Sequence, residues 1–277
     1  MTQIAIERYL TLLKKCLLGE PYFDNEIRLI YLRHCLEGSD TFDLRVFLDI
    51  AKGRPDLYQA HLVAHADGNS AGRWPEDIGF YHTMIGRQRL DNVHSCLDTI
   101  RREGIAGDLV ECGVWRGGTV VFMRGYLAAY GVQDRAVVVA DSFAGLPKPS
   151  AVDEGLDLSR DVVPILAIER GRVEELFRAY DLLDERVRFL EGWFADTLRA
   201  AEFSQIALLR LDGDLYSSTR DALHACYDHV APGGFVIVDD YGAIPQCARA
   251  VADFRAERAI TDVVHTIDWT GVYWRKS

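Results

Sequence analysis

Residues 108–119 read DLVECGVWRGGT, and this stretch contains the pattern that decides the fold. Its first five residues form a short, largely apolar run, which predicts a buried β-strand. Gly113, Gly117 and Gly118 then predict a tight turn, because glycine adopts backbone angles that other residues avoid. A helical pattern follows over 117–130. The stretch therefore predicts one strand–turn–helix unit of a sheet whose two faces are covered by helices.

The same kind of unit recurs along the chain. Further apolar runs that predict strands occupy 136–141, 187–190, 206–212 and 235–240. Helical patterns lie around them at 87–103, 171–181, 217–230 and 245–258. Strand-like runs at 263–267 and 272–275 flank Gly271 and predict a closing hairpin. Together these patterns predict a doubly wound, Rossmann-like α/β sheet that is parallel except for one antiparallel C-terminal strand.

The first 80 residues have a different pattern from the rest of the chain. Apolar residues recur at helical spacing in three runs, at 4–18, 24–37 and 41–52. The polar stretch 64–76 contains glycines and a proline and predicts a loop. We therefore expect a helical N-terminal extension over 1–80 and an α/β domain over 81–277. Within that domain, the connection over 143–169 is unusually long, and connections of that length usually have a function.

The composition of the chain excludes several classes of protein. Of 277 residues, 49% are hydrophobic and 26% are charged, so a sizeable core can form and disorder is not expected. The net charge of −11 disfavours a nucleic-acid binder, which needs a basic surface to meet phosphates. No apolar stretch approaches the length of a membrane span, and the first residues do not resemble a signal peptide. Six cysteines without a CxxC pair are typical of reduced thiols, so we expect a cytoplasmic protein.

Acidic residues at two strand ends suggest a nucleoside ligand that carries a positive charge. In such sheets, ligands bind beyond the carboxyl ends of the strands. Glu111 precedes the Gly113 turn, which is not a GxGxxG motif, and a carboxylate there suits a cationic amino group better than a pyrophosphate. Asp141 ends the second strand, where a carboxylate can bind a ribose diol, although it could equally cap a helix. S-adenosylmethionine combines both features. Ser142 has no evident histidine partner, so covalent catalysis is not expected.

Four aspartates follow the fourth and fifth strands. They are Asp212, Asp214, Asp239 and Asp240. Neighbouring strands would bring them together, and their mutual repulsion would be relieved by a divalent cation such as Mg²⁺, with Ca²⁺ or Mn²⁺ as other options. The alternative is that some of them face solvent or cap helices.

Two further pairs of residues invite interpretation. Trp193 and Phe194 follow the third strand and could stack on an adenine or simply pack in the core. His61 and His65 have the spacing of a helical metal pair, but ordinary surface or core histidines are the simpler interpretation.

Several motifs, in this order along the chain, resemble one known family. They are HTMIG at 82–86, ECGVWRGG at 111–118, DSFAGLP at 141–147, GWF at 192–194, DGDLY at 212–216 and DDY at 239–241. This combination resembles the macrocin O-methyltransferase family, whose members methylate sugar hydroxyls of macrolide and aminocoumarin antibiotics. The resemblance runs from about residue 80 to the C-terminus and implies that 81–277 is an S-adenosylmethionine-dependent methyltransferase domain.

The resemblance also implies roles for individual residues. Those that match the cofactor-binding positions are Thr83, Met84, Glu111, Gly113, Trp115, Gly117, Asp141, Ser142, Trp193 and Phe194. Those that match the Mg²⁺ ligands are Asp212, Asp239 and Asp240. Asp214 matches the general base, so Asp212 and Asp214 are the expected catalytic pair. The resemblance further implies a homodimer formed through the N-terminal helices, which could also form a lid over the substrate.

The expected function is Mg²⁺-dependent transfer of a methyl group from S-adenosylmethionine to a sugar hydroxyl of a small-molecule glycoside. No nucleic-acid or membrane partner is expected. The nearest alternative is a metal-dependent catechol or phenol O-methyltransferase, because a catechol diol also chelates a metal. A non-catalytic binding module is a second alternative, which the intact set of aspartates disfavours. A nicotinamide dehydrogenase is a third, which the missing GxGxxG disfavours.

Overall fold

A seven-stranded sheet organises the protein. The computed structural model describes residues 2–66 and 81–277, with side chains described up to residue 63 in the first range. The strands are β1 (Asp108–Cys112), β2 (Val137–Asp141), β3 (Val187–Glu191), β4 (Ile206–Leu211), β5 (Val230–Val238), β6 (His265–Thr266) and β7 (Val272–Arg275). Their order is β3-β2-β1-β4-β5-β7-β6. Strands β1 to β5 pair in parallel, whereas β7 pairs antiparallel with both β5 and β6. The predicted Rossmann-like sheet with one antiparallel C-terminal strand is confirmed.

Helices surround the sheet and form most of the N-terminal region. They are α1 (Gln3–Leu17), α2 (Phe23–Leu36), α3 (Leu44–Leu48), α4 (Ile50–Gly53), α5 (Pro55–Ala66), α6 (Gly86–Glu103), α7 (Gly118–Tyr130), α8 (Arg170–Ala179), α9 (Phe194–Ala200), α10 (Tyr216–Cys226) and α11 (Pro245–Glu257). The five helices predicted within the α/β domain are all present. The short helix α9 was not predicted.

Several boundaries differ from the prediction for local reasons. The single helix predicted over 41–52 is divided into α3 and α4, because Asp49 leaves the helical region with φ −127° and ψ 72°. The sequence did not predict helix α5 because its apolar residues do not lie on one face of the helix. Leu57 is buried, whereas Leu62 and Val63 are exposed. Strand β5 begins at Val230, whereas the predicted strand began at residue 235. Its first residues include a proline and two glycines, which would normally predict a turn. The predicted loop over 64–76 lies outside the described residues beyond Ala66.

The hydrophobic core has two layers, one on each face of the sheet, and a separate smaller cluster. Helix α1 belongs to the first layer, because Leu10, Leu13 and Leu17 are buried in it together with residues of α6 and α7. The predicted apolar stripe of α1 therefore packs on the α/β domain itself. The smaller cluster joins α2, α4 and α5 and consists of Ile27, Ile30, Tyr31, Ile50 and Leu57. The division of the chain at residue 80 stays a prediction.

The long connection over 143–169 is attached to the carboxyl ends of the strands. Asp153 is fully buried and accepts hydrogen bonds from the Tyr216 N–H (2.6 Å) and the Ser217 hydroxyl (3.0 Å), at the start of α10. The Trp115 indole donates to the Ile165 carbonyl (3.0 Å). The connection is thus held over the edge of the sheet where the motif residues lie.

Two further expectations from the sequence concern the histidine pair His61 and His65 and the absence of a membrane span. His61 is buried and its Nδ1 lies 2.9 Å from the Leu57 carbonyl, whereas the side chain of His65 is outside the description. Among the residues that the structure describes, no helix combines the length and apolar character that a membrane crossing needs.

Candidate active site

The turn after β1 is packed so closely that its glycines cannot be replaced without movement. Gly113 has φ +89°, and a Cβ at this position would lie 1.8 Å from the Asp212 carbonyl oxygen. Gly117 has φ +88°, and a Cβ there would lie 2.6 Å from the side chain of Val173. Glycine is required at both positions because no other residue combines these backbone angles with so little space. The turn therefore lies directly against the end of β4.

A first cavity of about 370 Å³ opens beside this turn. The predicted cofactor residues that line it are Met84, Gly113, Trp115, Asp141, Ser142, Trp193 and Phe194. Two other predicted cofactor residues, Thr83 and Glu111, line a second cavity instead. Gly117 shapes the turn, as described above. The structure thus brings most of the predicted cofactor residues to one cavity at the ends of β1, β2 and β3.

Asp141 connects two turns at the edge of the first cavity. Its carboxylate accepts hydrogen bonds from the N–H groups of Val114 and Phe143, both at 2.8 Å. Burial raises the pKa of Asp141, and these backbone hydrogen bonds oppose that rise. The N–H groups of Trp115 and Ser142 also lower its pKa, so the Asp141 carboxylate is held by the backbone of both turns. Ser142 donates to the Gly145 carbonyl (2.6 Å) and so stabilises the start of the long connection.

Trp193 and Phe194 have different environments. Trp193 is 41% exposed although it lines the first cavity, so a large aromatic face is open to a ligand. Phe194 also lines the cavity, but its ring packs partly against the core. The stacking interpretation therefore applies better to Trp193, and the core-packing interpretation better to Phe194.

A second cavity of about 260 Å³ adjoins the first. The two cavities share five lining residues, which are Met84, Trp115, Leu166, Asp212 and Asp214. One wall of the second cavity is acidic and includes Glu111, Asp239 and Asp240, whereas apolar side chains from the long connection and from the β6–β7 turn line it elsewhere. A reaction between a ligand in each cavity would take place beside Asp212 and Asp214.

Three carboxylates form a compact cluster where the cavities meet. Oxygen atoms of Asp212, Asp214 and Asp240 all lie within 4.8 Å of one another. Desolvation and then Asp239 raise the pKa of Asp212 to about 6. Desolvation, then Asp212 and Asp239, raise the pKa of Asp214 to about 8. Desolvation and then Asp214 and Asp212 raise the pKa of Asp240 well above its usual value. A hard divalent cation would relieve this repulsion, so these residues fit an ion such as Mg²⁺.

Asp214 is held in an uncommon backbone conformation. Its φ is +56°, in the left-handed region where aspartate is tolerated better than most residues. Its N–H donates a hydrogen bond to a carboxylate oxygen of Asp240 (3.3 Å). Backbone geometry of this kind is concentrated at functional sites.

Two buried arginines hold Asp239, which the family resemblance implies is a metal ligand. Arg210 in β4 is 1% exposed and pairs with one oxygen of Asp239, and Arg89 in α6 pairs with the other. Arg210 also binds Asp212 (2.9 Å) and Glu111, and Arg89 binds Asp268 (3.0 Å). Both oxygens of Asp239 therefore already have cationic partners, whereas Arg210 pairs with one oxygen of Asp212 in the cluster.

Glu111 lines the second cavity, and its two carboxylate oxygens differ in their partners. One oxygen accepts from Arg210, whereas the buried Oε2 has no hydrogen-bond partner among the residues that the structure describes. Burial raises the pKa of Glu111 to about 8, and Arg210 opposes this rise. A buried acceptor without a partner is costly and favours a ligand that donates a hydrogen bond.

Sequence reasoning missed the two arginines, although a signal for one was present. Arg210 interrupts the apolar run IALLRLD, and a charge inside a strand buried on both faces must be paired. Arg89 and Asp268 carried no comparable signal, because each lies in an ordinary polar context.

Comparisons with known proteins agree with this geometry. The chain matches the family model described as macrocin-O-methyltransferase (TylF) over residues 6–276. It is 43% identical over 279 residues to the 8-demethyl-8-(2,3-dimethoxy-alpha-L-rhamnosyl)-tetracenomycin-C 4'-O-methyltransferase of Streptomyces olivaceus, covering 99% of this chain and 95% of that protein. It is 48% identical over 213 residues to the demethyldecarbamoylnovobiocin O-methyltransferase of Streptomyces niveus, covering 76% and 80%. The solved structure of the O-methyltransferase NovP superposes with a TM-score of 0.80 at 40% identity and covers 98% of this chain and 99% of its own. The chain therefore belongs to the macrocin O-methyltransferase family and is an O-methyltransferase.

Proposed function

We propose that this enzyme transfers a methyl group from S-adenosylmethionine to a sugar hydroxyl of a glycosylated natural product, with the help of Mg²⁺. One observation carries the proposal: a cavity with Asp141 and Trp193 meets a second cavity with a carboxylate cluster at Asp212 and Asp214. The name of the Streptomyces olivaceus relative includes a rhamnosyl group, which supports a sugar as the acceptor.

The first cavity is the proposed binding site for S-adenosylmethionine, which supplies the methyl group. Asp141 is the carboxylate expected to bind the ribose diol, and Trp193 offers an aromatic face for the adenine. Glu111 lines the adjoining cavity and is the carboxylate expected to bind the cationic amino group. The glycine turn allows the ligand to approach the backbone of β1 closely.

Asp212 and Asp240 are the proposed Mg²⁺ ligands that the resemblance and the observed cluster have in common. A bound Mg²⁺ supplies positive charge next to the acceptor hydroxyl, which makes the hydroxyl more acidic. The resemblance adds Asp239, each of whose oxygens accepts from one arginine and keeps a second lone pair for a metal ion.

Asp214 is the proposed general base. It lines both cavities, so it lies where an acceptor hydroxyl and the methyl donor would meet. Its backbone has a positive φ, and its N–H donates to the Asp240 carboxylate, so the loop that carries Asp214 is fixed relative to Asp240. Correct placement of two substrates by such fixed groups would supply much of the rate acceleration.

The test is methyl transfer from labelled S-adenosylmethionine to a panel of deoxysugar glycosides and catechols, run with Mg²⁺ and again with EDTA. Mg²⁺-dependent methylation of a glycoside is the expected result. Methylation of catechols alone would favour a catechol O-methyltransferase, an alternative that the apolar wall of the second cavity makes worth testing. Cofactor binding without methylation of any acceptor would favour a non-catalytic binding protein.

A homodimer formed through the N-terminal helices is also part of the proposal. Large apolar side chains are exposed on these helices, including Leu12 (57%), Leu36 (89%) and Leu48 (65%). Exposed apolar patches are typical of interaction surfaces. Light scattering on the wild type and on Leu36→Glu tests this, with a dimer expected only for the wild type; a monomeric wild type would refute it.

A further inference from the structure

Trp269 occupies an unusual position in the second cavity. It is 45% exposed, although it lies between the buried residues Asp268 and Thr270 in the turn that joins β6 to β7. Trp274, a few residues later, is fully buried in the core. Trp269 therefore offers a partly exposed indole at a cavity, where an aromatic or apolar group of a ligand can contact it.

The turn that carries Trp269 is firmly held on both sides. Asp268 accepts hydrogen bonds from the N–H groups of Thr270 (3.0 Å) and Gly271 (2.7 Å) and from Arg89 (3.0 Å). The Thr270 hydroxyl donates to the Asp239 carbonyl (2.9 Å). The backbone of Trp269 is thus fixed relative to the acidic residues. Because this turn is already ordered, little backbone conformational entropy of the protein is lost when a ligand contacts it.

The lining of the second cavity combines acidic and apolar side chains. Asp212, Asp214 and Asp240 belong to the acidic part, and the first two also line the first cavity. Elsewhere the lining includes Trp269, Leu156, Leu158 and Ile244. A ligand that fits both parts carries hydroxyl groups at one end and an apolar or aromatic group at the other. A sugar attached to an apolar aglycone has this form.

The charge of the cavity disfavours a sugar that is still attached to a nucleotide. Among the described residues of its lining, the titratable side chains are five carboxylates and Arg89, which is already paired with Asp239 and Asp268. A diphosphate would bring further negative charge close to these carboxylates, and such repulsion lowers affinity.

We propose that Trp269 is the platform on which the aglycone of the acceptor glycoside stacks. This inference rests on the proposed function and makes Trp269 a specificity-determining residue. It also implies that a glycosyl transfer, which joins the sugar to its aglycone, supplies the substrate for this enzyme.

The experiment compares methyl α-L-rhamnoside with 1-naphthyl α-L-rhamnoside as acceptors. For the wild type, KM should be about tenfold lower for the naphthyl glycoside, the size expected of one aromatic stacking contact. Trp269→Ala should remove this difference and Trp269→Phe should keep most of it, while KM for S-adenosylmethionine stays within about twofold. Trp193→Ala is the matched control, because Trp193 is similarly exposed but lines the first cavity; it should raise KM for S-adenosylmethionine and preserve the preference. Calorimetric titration of the naphthyl glycoside, with S-adenosylhomocysteine bound, should show the same order of affinities.

The outcomes separate this inference from the proposed function. If both glycosides are methylated with equal KM, or if Trp269→Ala keeps the preference for the naphthyl glycoside, the platform is refuted and the proposed function stands. If no glycoside is methylated while catechols are, both are overturned. Methylation of a nucleotide-linked rhamnose with a KM as low as that of the naphthyl glycoside would also refute the inference.

Discussion

Replacing Arg210 by methionine tests whether the charge balance of the site depends on this one side chain. Arg210 is 1% exposed and pairs with Glu111, Asp212 and Asp239. Methionine retains a long apolar side chain, so the substitution removes mainly the guanidinium group. Three carboxylates then lose a shared counter-charge, and two of them, Glu111 and Asp239, are buried.

The expected cost follows from how well each carboxylate is compensated without Arg210. Removing one partner of a buried ion pair typically costs about 3–5 kcal/mol. Asp239 keeps its pair with Arg89, and the Asp212 side chain is 28% exposed, so the loss falls mainly on Glu111. We therefore expect the free energy of unfolding to fall by about 3 kcal/mol. This corresponds to a decrease in Tm of roughly 6–12 °C for a large domain.

The cost should also depend on pH. Without Arg210, burial acts on Glu111 unopposed, so its folded-state pKa, already raised to about 8, should rise further. A carboxyl group whose folded pKa lies above its unfolded value stabilises the protein below the unfolded value and loses that contribution as the pH rises. The wild type shares this loss up to its own pKa of about 8, so Arg210→Met should be more destabilised, relative to the wild type, at pH 9.5 than at pH 8.

Urea unfolding at these two pH values provides the assay, with Arg124→Met as the matched control. The Arg124 side chain is 8% exposed, but that of its partner Asp184 is 28% exposed. Because the freed carboxylate reaches water, the free energy of unfolding should fall by only about 1 kcal/mol. Equal unfolding midpoints for the two variants at pH 8 would refute the reasoning. So would an Arg210→Met cost that is the same at both pH values. If Arg210→Met does not fold, Arg210→Lys, which keeps the charge but has fewer donors, should show a smaller loss of the same sign.

Three further predictions concern the turn, the base and a buried histidine. Asp214→Asn should lower kcat by about 100-fold or more with little change in S-adenosylmethionine affinity, because an amide cannot accept the proton; retained turnover would exclude Asp214 as the base. Gly113→Ala should lower Tm much more than Gly131→Ala, because both have positive φ but only the first places a Cβ against Asp212; equal Tm values would contradict this close approach. Burial lowers the pKa of His82, so the unfolded chain takes up its proton first and stability should fall as the pH drops below about 6.5. His82→Gln should reduce that fall in urea midpoint between pH 7.5 and 5.5, and an unchanged difference would show that other groups cause it.

The sheet could be predicted because its strands carry their own signal. Strands buried on both faces are continuous apolar runs, and those of β1, β2 and β4 end within a residue or two of where the sequence indicates. The errors lie where local chemistry and tertiary context disagree. The segment Val230–Gly234 contains turn-forming residues, yet it continues β5 because Gly233 and Gly234 hydrogen-bond with Lys276 in the neighbouring C-terminal segment. Such a long-range contact is invisible in a local pattern.

The candidate site was partly predictable for a similar reason. Residues that follow strands in a parallel sheet must meet at one edge, so Asp141, Asp212 and Asp240 could be placed together from their positions alone. The partners that set their charge come from elsewhere in the chain. Arg89 lies in α6 and Asp268 in the β6–β7 turn, and only the folded chain brings them to Asp239.

The charges around the second cavity explain why this site suits cationic ligands. Six carboxylates lie in one connected network, and two guanidinium groups accompany them. The carboxylates are those of Glu111, Asp212, Asp214, Asp239, Asp240 and Asp268. The arginines form ion pairs with Asp239 and Asp268 and with one oxygen of Glu111. Asp214 and Asp240, in contrast, have raised pKa values, and neighbouring carboxylates are among the causes. The uncompensated charge thus lies beside the junction of the two cavities. A sulfonium cosubstrate on one side and a divalent ion on the other would neutralise it, whereas a dinucleotide pyrophosphate would add to it. Glu111→Gln and Asp240→Asn should therefore weaken different ligands, the first S-adenosylmethionine and the second Mg²⁺, although both replace a carboxyl group of the same network.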